Sequence, residues 1–355
     1  MMGNIEEWKI MKKVKEMSIR KFNKIIIILI SFFITFLLGG LFLLYGPFDK
    51  VRTWLITTAM TTMNHQYLAT FFYSDDTIRD VMAKNRLIES SENTNTLLID
   101  TNKINTKVYK DKYEKEILEH DSDEEYKMIE IKGDGYSGYL VAIYDPSKIK
   151  LATSKNLGSS GEYLIDMAKR EGASVAINGG GFVDDTTLNS GGVPDGILIK
   201  DGKILNSSRY SKGIGGIIGF TKDNKLFLGK VSAEEAISLG IRDAVEFGPF
   251  LIVNGEASKV VGNGGYGLHP RTVIGQRKDG VVLFLVIDGR RVDCIGADMD
   301  DLIEIMERYG AYNAANLDGG NSSALIINNK LINHPINWSQ QEETRPIANG
   351  FILVE

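Results

Sequence analysis

Four short clusters hold residue types that could do chemistry. Each follows or interrupts an apolar run, where side chains and backbone amides are offered to a cleft. The first is Asn178-Gly-Gly-Gly-Phe182. Its bare backbone can turn the successive N–H groups of Gly179 and Gly180 toward an anion, although a plain turn would read the same way. No Gly-Lys-Ser/Thr follows, so it is not a nucleotide P-loop, and it does not match the dinucleotide fingerprint. The second is His269-Pro-Arg271-Thr272, between the glycine-rich 262–267 and a short apolar run at 273–275. Arg271 offers a planar, permanently charged fork for phosphate or carboxylate, and His269 a proton carrier or hydrogen-bond donor. A surface salt bridge is the alternative. The third, Asp288-Gly-Arg290-Arg291, comes directly after the apolar 281–287. It either sets a carboxylate at the end of a buried strand beside the charge of Arg290, or marks a strand-ending Asp-Gly turn. The fourth runs Asn316-Leu-Asp318-Gly319-Gly320-Asn321-Ser322-Ser323. Asp-Gly-Gly alone could close a hairpin, but a hairpin has no need of Asn321, Ser322 and Ser323 as well.

Other chemistries find little footing. No serine sits in a nucleophile elbow. Cys294 is the single cysteine, so an internal disulfide and a CxxC site are both excluded. Of the four histidines, His65 and His120 fall outside the main domain, and no ligand spacing surrounds His269 or His334. No metal site is therefore assigned. A net charge of −5 lacks the basic footprint of a nucleic-acid partner.

Those clusters need strands and helices to position them. Runs 139–144 and 281–287 read as strands, the second apolar on both faces and so central in a sheet. Short strands are expected at 173–177, 196–200, 325–327 and 351–354. A helix near 162–170 stops at Gly172. Ser232-Ala-Glu-Glu235 forms a capping box opening another, and Asp298 can cap a third with Leu302, Ile305, Met306 and Tyr309 on one face, ended by Gly310. Strands and helices mix without regular βαβ alternation. The expected class is α+β, with mixed sheets, flanking helices and one N-terminal transmembrane helix.

Residues 25–44 carry no charge over twenty positions, about 30 Å as a helix, which matches the bilayer hydrocarbon. Lys9, Lys12, Lys13, Lys15, Arg20, Lys21 and Lys24 precede it, and only Lys50 and Arg52 follow closely. That bias puts the N-terminus in the cytoplasm and the rest outside. The run ends Leu-Leu-Tyr-Gly-Pro-Phe, a poor cleavage site, which favours a retained signal-anchor over a cleaved signal peptide. The expected organisation is a basic cytoplasmic tail at 1–24, a single-pass signal-anchor in the lipid bilayer at 25–45, a juxtamembrane helix and polar spacer at 46–125, and an extracellular domain at 126–355. Within 51–88, helix-compatible and carrying Tyr67, Phe71, Phe72 and Tyr73, the segment could lie on the bilayer or pack on the domain. The polar 89–125 reads as a spacer.

At the four clusters the sequence resembles the phosphodiester glycosidase family. The matching stretches are AINGGGF, GGVPDGILIKDGK, FGPFLIVNG, HPRTVIG, VIDGR, NLDGGNSS and RPIANG, in that order from about Ala173 to Gly350, close to half the chain. One departure is Asn321, where a third glycine is common. The resemblance implies hydrolysis between a sugar's anomeric carbon and a phosphodiester. The phosphate leaves readily as an anion, so such a site needs positive charge on the phosphate and a carboxylate at the anomeric centre. Arg271 and Arg290 are expected in the first role. Asp318, and after it Asp288, are expected as base or nucleophile, with His269 as a further catalytic candidate. Asn178, Gly179, Gly180, Gly319, Gly320, Asn321, Ser322, Arg345 and Asn349 complete the expected pocket for phosphate and sugar hydroxyls. No cofactor is required, though a divalent cation would be compatible with the aspartates. The expected partner is a phosphate-containing glycopolymer of the cell envelope or an exopolysaccharide. A non-catalytic glycopolymer-binding protein, or a phosphodiesterase breaking the P–O bond, are the alternatives.

Overall fold

The structure, a computed structural model, describes residues 3–62, 65–101, 108–183, 191–208, 215–337 and 341–355. It divides into two units, one ending at Val81 and a larger one beginning at Met82. The first is led by the 43-residue helix Gly3–Tyr45, of which Ile19–Tyr45 is long and apolar enough to cross a membrane. The stretch that reads as helix-compatible between 51 and 88 becomes the helices Asp49–Met60, Tyr67–Thr70 and Asp75–Lys84, then the short strand Arg86–Ile88.

The larger unit has three main sheets. Its seven-stranded sheet runs Glu256–Ala257, Phe250–Val253, Ala311–Asn316, Arg271–Arg277, Val282–Ile287, Tyr136–Ile143, Tyr126–Gly133. A five-stranded sheet orders Lys330–Leu331, Leu325–Ile327, Ala173–Asn178, Asn349–Val354, Ile149–Thr153. A second orders Lys203–Asn206, Leu198–Lys200, Ile241–Phe247, Gly216–Thr221, Leu226–Gly229. The class is α+β as expected. Every strand pair among the described residues is antiparallel, a more uniform arrangement than the mixed sheets expected.

One core joins all three sheets. Ile177 and Phe351, Ile218 and Phe220, and Ile274 and Phe284 meet in it. The doubly apolar strand Val282–Ile287 is buried along its whole length, because its other face is covered by the helix Met299–Arg308 through Met299, Leu302, Ile305 and Met306. That helix starts where Asp298 accepts from the amides of Asp300 and Asp301, and Asp301 returns a bond to the Asp298 amide. The helix Leu164–Glu171 ends at Gly172, whose φ of 68° only glycine adopts without strain. Ser232 caps Ala233–Ser238 by accepting from the Glu235 amide.

The expected spacer at 89–125 is different in the structure. Ile99 and Ile117 are fully buried, and Ile117 belongs to the apolar layer beneath Met299–Arg308. The Thr94 hydroxyl donates to Asn313, and the amides of Asn95 and Asp100 bond to Asn254 and Lys278. Just before it, Arg86–Ile88 pairs with Lys259–Val261. Folded structure thus begins well before Tyr126. Residues 102–107 of that stretch lie outside the described residues.

Candidate active site

The antiparallel registers bring several strand ends to one rim. Arg271 pairs with Ile287 and Val273 with Asn316, so the start of one strand lies beside the ends of its two neighbours. In the adjoining sheet Asn178 pairs with Gly350, next to Asn349. The two rims are sewn together by buried Asn178. Its Oδ1 accepts from the Thr272 hydroxyl (2.7 Å) and the Ala324 amide (3.1 Å), and its Nδ2 donates to the Asp318 carbonyl (2.6 Å). The Asp318 amide donates back to the Gly179 carbonyl (3.0 Å). Asp318 is therefore held by its backbone on both sides, leaving its carboxylate half-buried at the rim.

The Arg290 guanidinium lies near it, with Arg345 as a further neighbour of Arg290. Burial pushes the Arg290 guanidinium down from its ordinary pKa, the Asp318 charge pushes it back up, and the neighbouring Arg345 charge lowers it further. Arg290 has a left-handed backbone (φ 63°) and reaches the Ile336 carbonyl at 3.4 Å. Gly320, at φ 64°, lies so near that a Cβ there would sit 2.8 Å from Arg290 Nη2. Arg345 lies over the Phe182 ring, 4.7 Å from its centroid. Asn321, with its amide nitrogen toward them, donates to the carbonyls of Glu343 (3.1 Å) and Ile336 (3.3 Å). Loops 288–290, 318–321, 336 and 343–345 thus assemble around Arg290, on which the charges of Asp318 and Arg345 both act.

Asp288 is only 2% exposed. Its Oδ1 accepts from the His334 amide (2.8 Å) and from Asn333 Nδ2 (3.0 Å), and the same Asn333 nitrogen donates to the Ser323 carbonyl (3.0 Å). Burial raises its pKa, while the His334 and Asn333 bonds work in the opposite direction. This carboxylate ties 333–334 to the end of its strand and, through Asn333, to the segment after Asp318.

Several other expected ligands have their polar groups engaged within the protein. Thr272 faces Asn178, so by strand alternation Arg271 points to the other side of the sheet. There its buried fork donates to the carbonyls of Ala297 (3.2 Å), Tyr266 (2.9 Å) and Gly267 (2.8 Å), and desolvation brings its pKa down to about 10. It is not brought together with Arg290 and Asp318. The amides of Gly179 and Gly180 do not form an open anion cradle: they donate to the Asn349 carbonyl (3.1 Å) and Asn349 Oδ1 (2.8 Å). A Cβ on Gly179 would lie 2.2 Å from that Oδ1, which explains the glycine. The Gly320 amide bonds to the Pro270 carbonyl, and Ser322 is buried with its amide on the Gly319 carbonyl. His269 is half-buried and exchanges backbone bonds with Ala297. Reading the sequence by cluster missed Asn333, which no motif marks. It also missed Phe182 as the ring beneath Arg345.

A cavity of about 370 Å³ lined by His120, Glu125, Tyr144, Asp145, Lys148 and Leu353 lies elsewhere. Tyr144 follows the far end of the strand whose Gly138 pairs with Ile287, so that cavity is at the opposite end of the sheets from Asp288.

A family model for phosphodiester glycosidases matches residues 171–354, more than half the chain. The chain belongs to the phosphodiester glycosidase family. The SPbeta prophage-derived uncharacterized protein YomE of Bacillus subtilis is 31% identical over 197 residues, covering 54% of this chain and 30% of that protein. The mouse N-acetylglucosamine-1-phosphodiester alpha-N-acetylglucosaminidase is 23% identical over 241 residues, covering 60% of this chain and 44% of the enzyme. The chain thus spans less than half the length of the curated relatives it matches. The zebrafish enzyme's catalytic domain, solved in a form auto-inhibited by its pro-peptide, superposes with a TM-score of 0.54 at 24% identity, over 66% of this chain and 85% of that one. That likeness shows the phosphodiester glycosidase fold in the larger unit.

Proposed function

We infer that this phosphodiester glycosidase family member hydrolyses the bond between a sugar's anomeric carbon and a phosphodiester, with Asp318 as the reacting carboxylate and Arg290 and Arg345 as the phosphate ligands. The observation that carries this reading is Arg290, whose guanidinium feels both the Asp318 carboxylate and the Arg345 charge beside the rim where two sheets join. Two guanidinium groups against one carboxylate in the surroundings of Arg290 leave an excess positive charge, which suits an anionic leaving group. As the C–O bond lengthens, negative charge collects on the departing phosphate, which leaves as a monoester, and the two forks bind it better than they bind the intact diester. Asp318 then acts at the anomeric carbon, either directly as nucleophile or by taking a proton from attacking water. Phe182 keeps Arg345 in place under the phosphate. The mouse relative's name describes a sugar joined through a phosphodiester, in agreement with this substrate class.

The apolar helix Ile19–Tyr45 and the basic residues before it support a single-pass anchor with its N-terminus in the cytoplasm. The larger unit then works outside the membrane, on a phosphate-bearing envelope glycopolymer or exopolysaccharide. The test is turnover of an activated glycosyl phosphodiester by the full chain in detergent. Asp318→Asn is expected to lower kcat about a thousandfold or more, while the fold is retained. Undiminished turnover in that variant would remove Asp318 from the reaction.

A further inference from the structure

The N-terminal unit holds an apolar surface that nothing in the proposed chemistry uses. Phe71 is 80% exposed, and Tyr67, Leu68, Trp54 and Phe48 are exposed as well. Tyr67 and Phe71 are four residues apart around the single turn Tyr67–Thr70 and so share one side of it, while Ala69 is buried on the other. Exposing Tyr67, Leu68 and Phe71 side by side is costly in water and marks a surface with a partner.

The structure fixes where that surface lies along the apolar helix. The Tyr45 hydroxyl donates to the Phe72 carbonyl (2.7 Å), and the Tyr73 hydroxyl donates to the Leu44 carbonyl (3.0 Å). The Tyr45 and Tyr73 rings meet edge-on at 5.9 Å, as do Phe42 and Phe48 at 5.4 Å. Residues 67–73 are thereby clamped to the last turn of Ile19–Tyr45. At 1.5 Å per residue this 27-residue helix is about 40 Å long, against about 30 Å of hydrocarbon, so its final turns reach the headgroup layer. Aromatic side chains are most favourable in that layer. The charge pattern agrees. Acidic residues stand only outside the segment, at Asp49, Asp75 and Asp76, and Asp49 is paired with Arg52, so no carboxylate lies between Lys50 and Ser74 to oppose insertion.

We propose that Tyr67, Leu68 and Phe71 form an interfacial foot that inserts into the outer leaflet of the membrane beside the exit of the apolar helix. This rests on the reading of Ile19–Tyr45 as a membrane span. The foot adds a second attachment to the same leaflet and so restrains the tilt and depth of the helix, as interfacial aromatic anchors do.

The test places an environment-sensitive fluorophore on single cysteines at Leu68→Cys, Phe71→Cys and Ile34→Cys, in a Cys294→Ser background of the full chain. The protein is reconstituted in vesicles of phosphatidylethanolamine and phosphatidylglycerol carrying bromine high or low on the acyl chain. The expected result is blue-shifted emission at 68 and 71 that shallow bromines quench most, and emission at 34 that deep bromines quench most. Water-like emission at 68 and 71, open to iodide, with 34 still quenched by deep bromines, overturns the foot and spares the span. Labels at 68 and 71 shielded from iodide yet untouched by bromines also overturn it, since protein would then cover the patch. Failure of deep quenching at 34 overturns the span and the foot with it. Labelling at 68 leaves Phe71 in place, so one destabilised variant does not decide the outcome.

Discussion

Replacing Asp288 separates two jobs a carboxylate can do at this rim. In Asp288→Ala the His334 amide and one Asn333 amide proton lose their acceptor at a position only 2% exposed. The buried Asn333 donor left unpaired costs about 1–3 kcal/mol, the partly buried His334 amide less because water can reach it, and removing a desolvated charge gives some of that back, for a net loss of about 1–3 kcal/mol. The melting temperature should fall by roughly 2–8 °C. Asp288→Asn keeps the Oδ1 acceptor and should stay within about 1 kcal/mol of the wild type. The pH dependence carries a definite sign. Burial raises the Asp288 pKa, so the folded chain holds this proton more tightly than the unfolded one. Its contribution is most favourable below the ordinary carboxylate value and declines as the pH climbs through the raised folded pKa. The asparagine variant does not titrate there. Its stability relative to the wild type should therefore rise across the same interval and then level off. Thermal melts of the full chain in detergent between about pH 4 and 7, with turnover measured beside them, provide the assay. If Asp288 positions the loops, Asp288→Asn keeps turnover within about tenfold of the wild type. A loss of about a thousandfold with unchanged melting would make Asp288 the reacting carboxylate and refute the reasoning.

Three further outcomes are expected. Arg290→Ala should weaken inorganic phosphate binding, read by calorimetry, at least tenfold, and Arg290→Lys should recover part of it; equal affinity in all three would place phosphate elsewhere. Gly320→Ala, forced into φ 64° with its Cβ against Arg290 Nη2, should cost about 1–2 kcal/mol in denaturant melts and lower turnover by more than stability alone explains. Asn178→Ala, which strips acceptors from Thr272 and Ala324 and a donor from Asp318, should destabilise by about 2–4 kcal/mol, measured by urea unfolding, whereas an exposed turn asparagine would cost almost nothing.

Element types were largely legible because their signals are local. The uniformly apolar 281–287 announced a strand covered on both faces, and Asp298 and Gly310 marked the two ends of a helix. Arg271 shows the limit. Its sequence context placed it in a loop before a strand, but the strand starts at Arg271 itself, and a period of two then sends Thr272 toward the rim and Arg271 to the opposite face. A glycine run says that backbone is accessible and not who takes its hydrogen bonds. Here Asn349, some 170 positions later, claims the amides of Gly179 and Gly180. The segment 89–125 looked unstructured because its apolar residues are sparse. It is fixed instead by Ile99, Ile117 and bonds such as Thr94 to Asn313, none of which leaves a periodic trace. Asn333 was invisible for the same reason: its importance comes from touching Asp288 and Ser323 together.

The central claim is that the bond broken joins the anomeric carbon to oxygen. Hydrolysis of a glycosyl phosphodiester by the full chain in oxygen-18 water, followed by mass spectrometry of both products, tests it directly. The account predicts label in the sugar's anomeric hydroxyl, with none in the phosphate and no product from Asp318→Asn. Label in the phosphate would mean cleavage of the P–O bond and would contradict it.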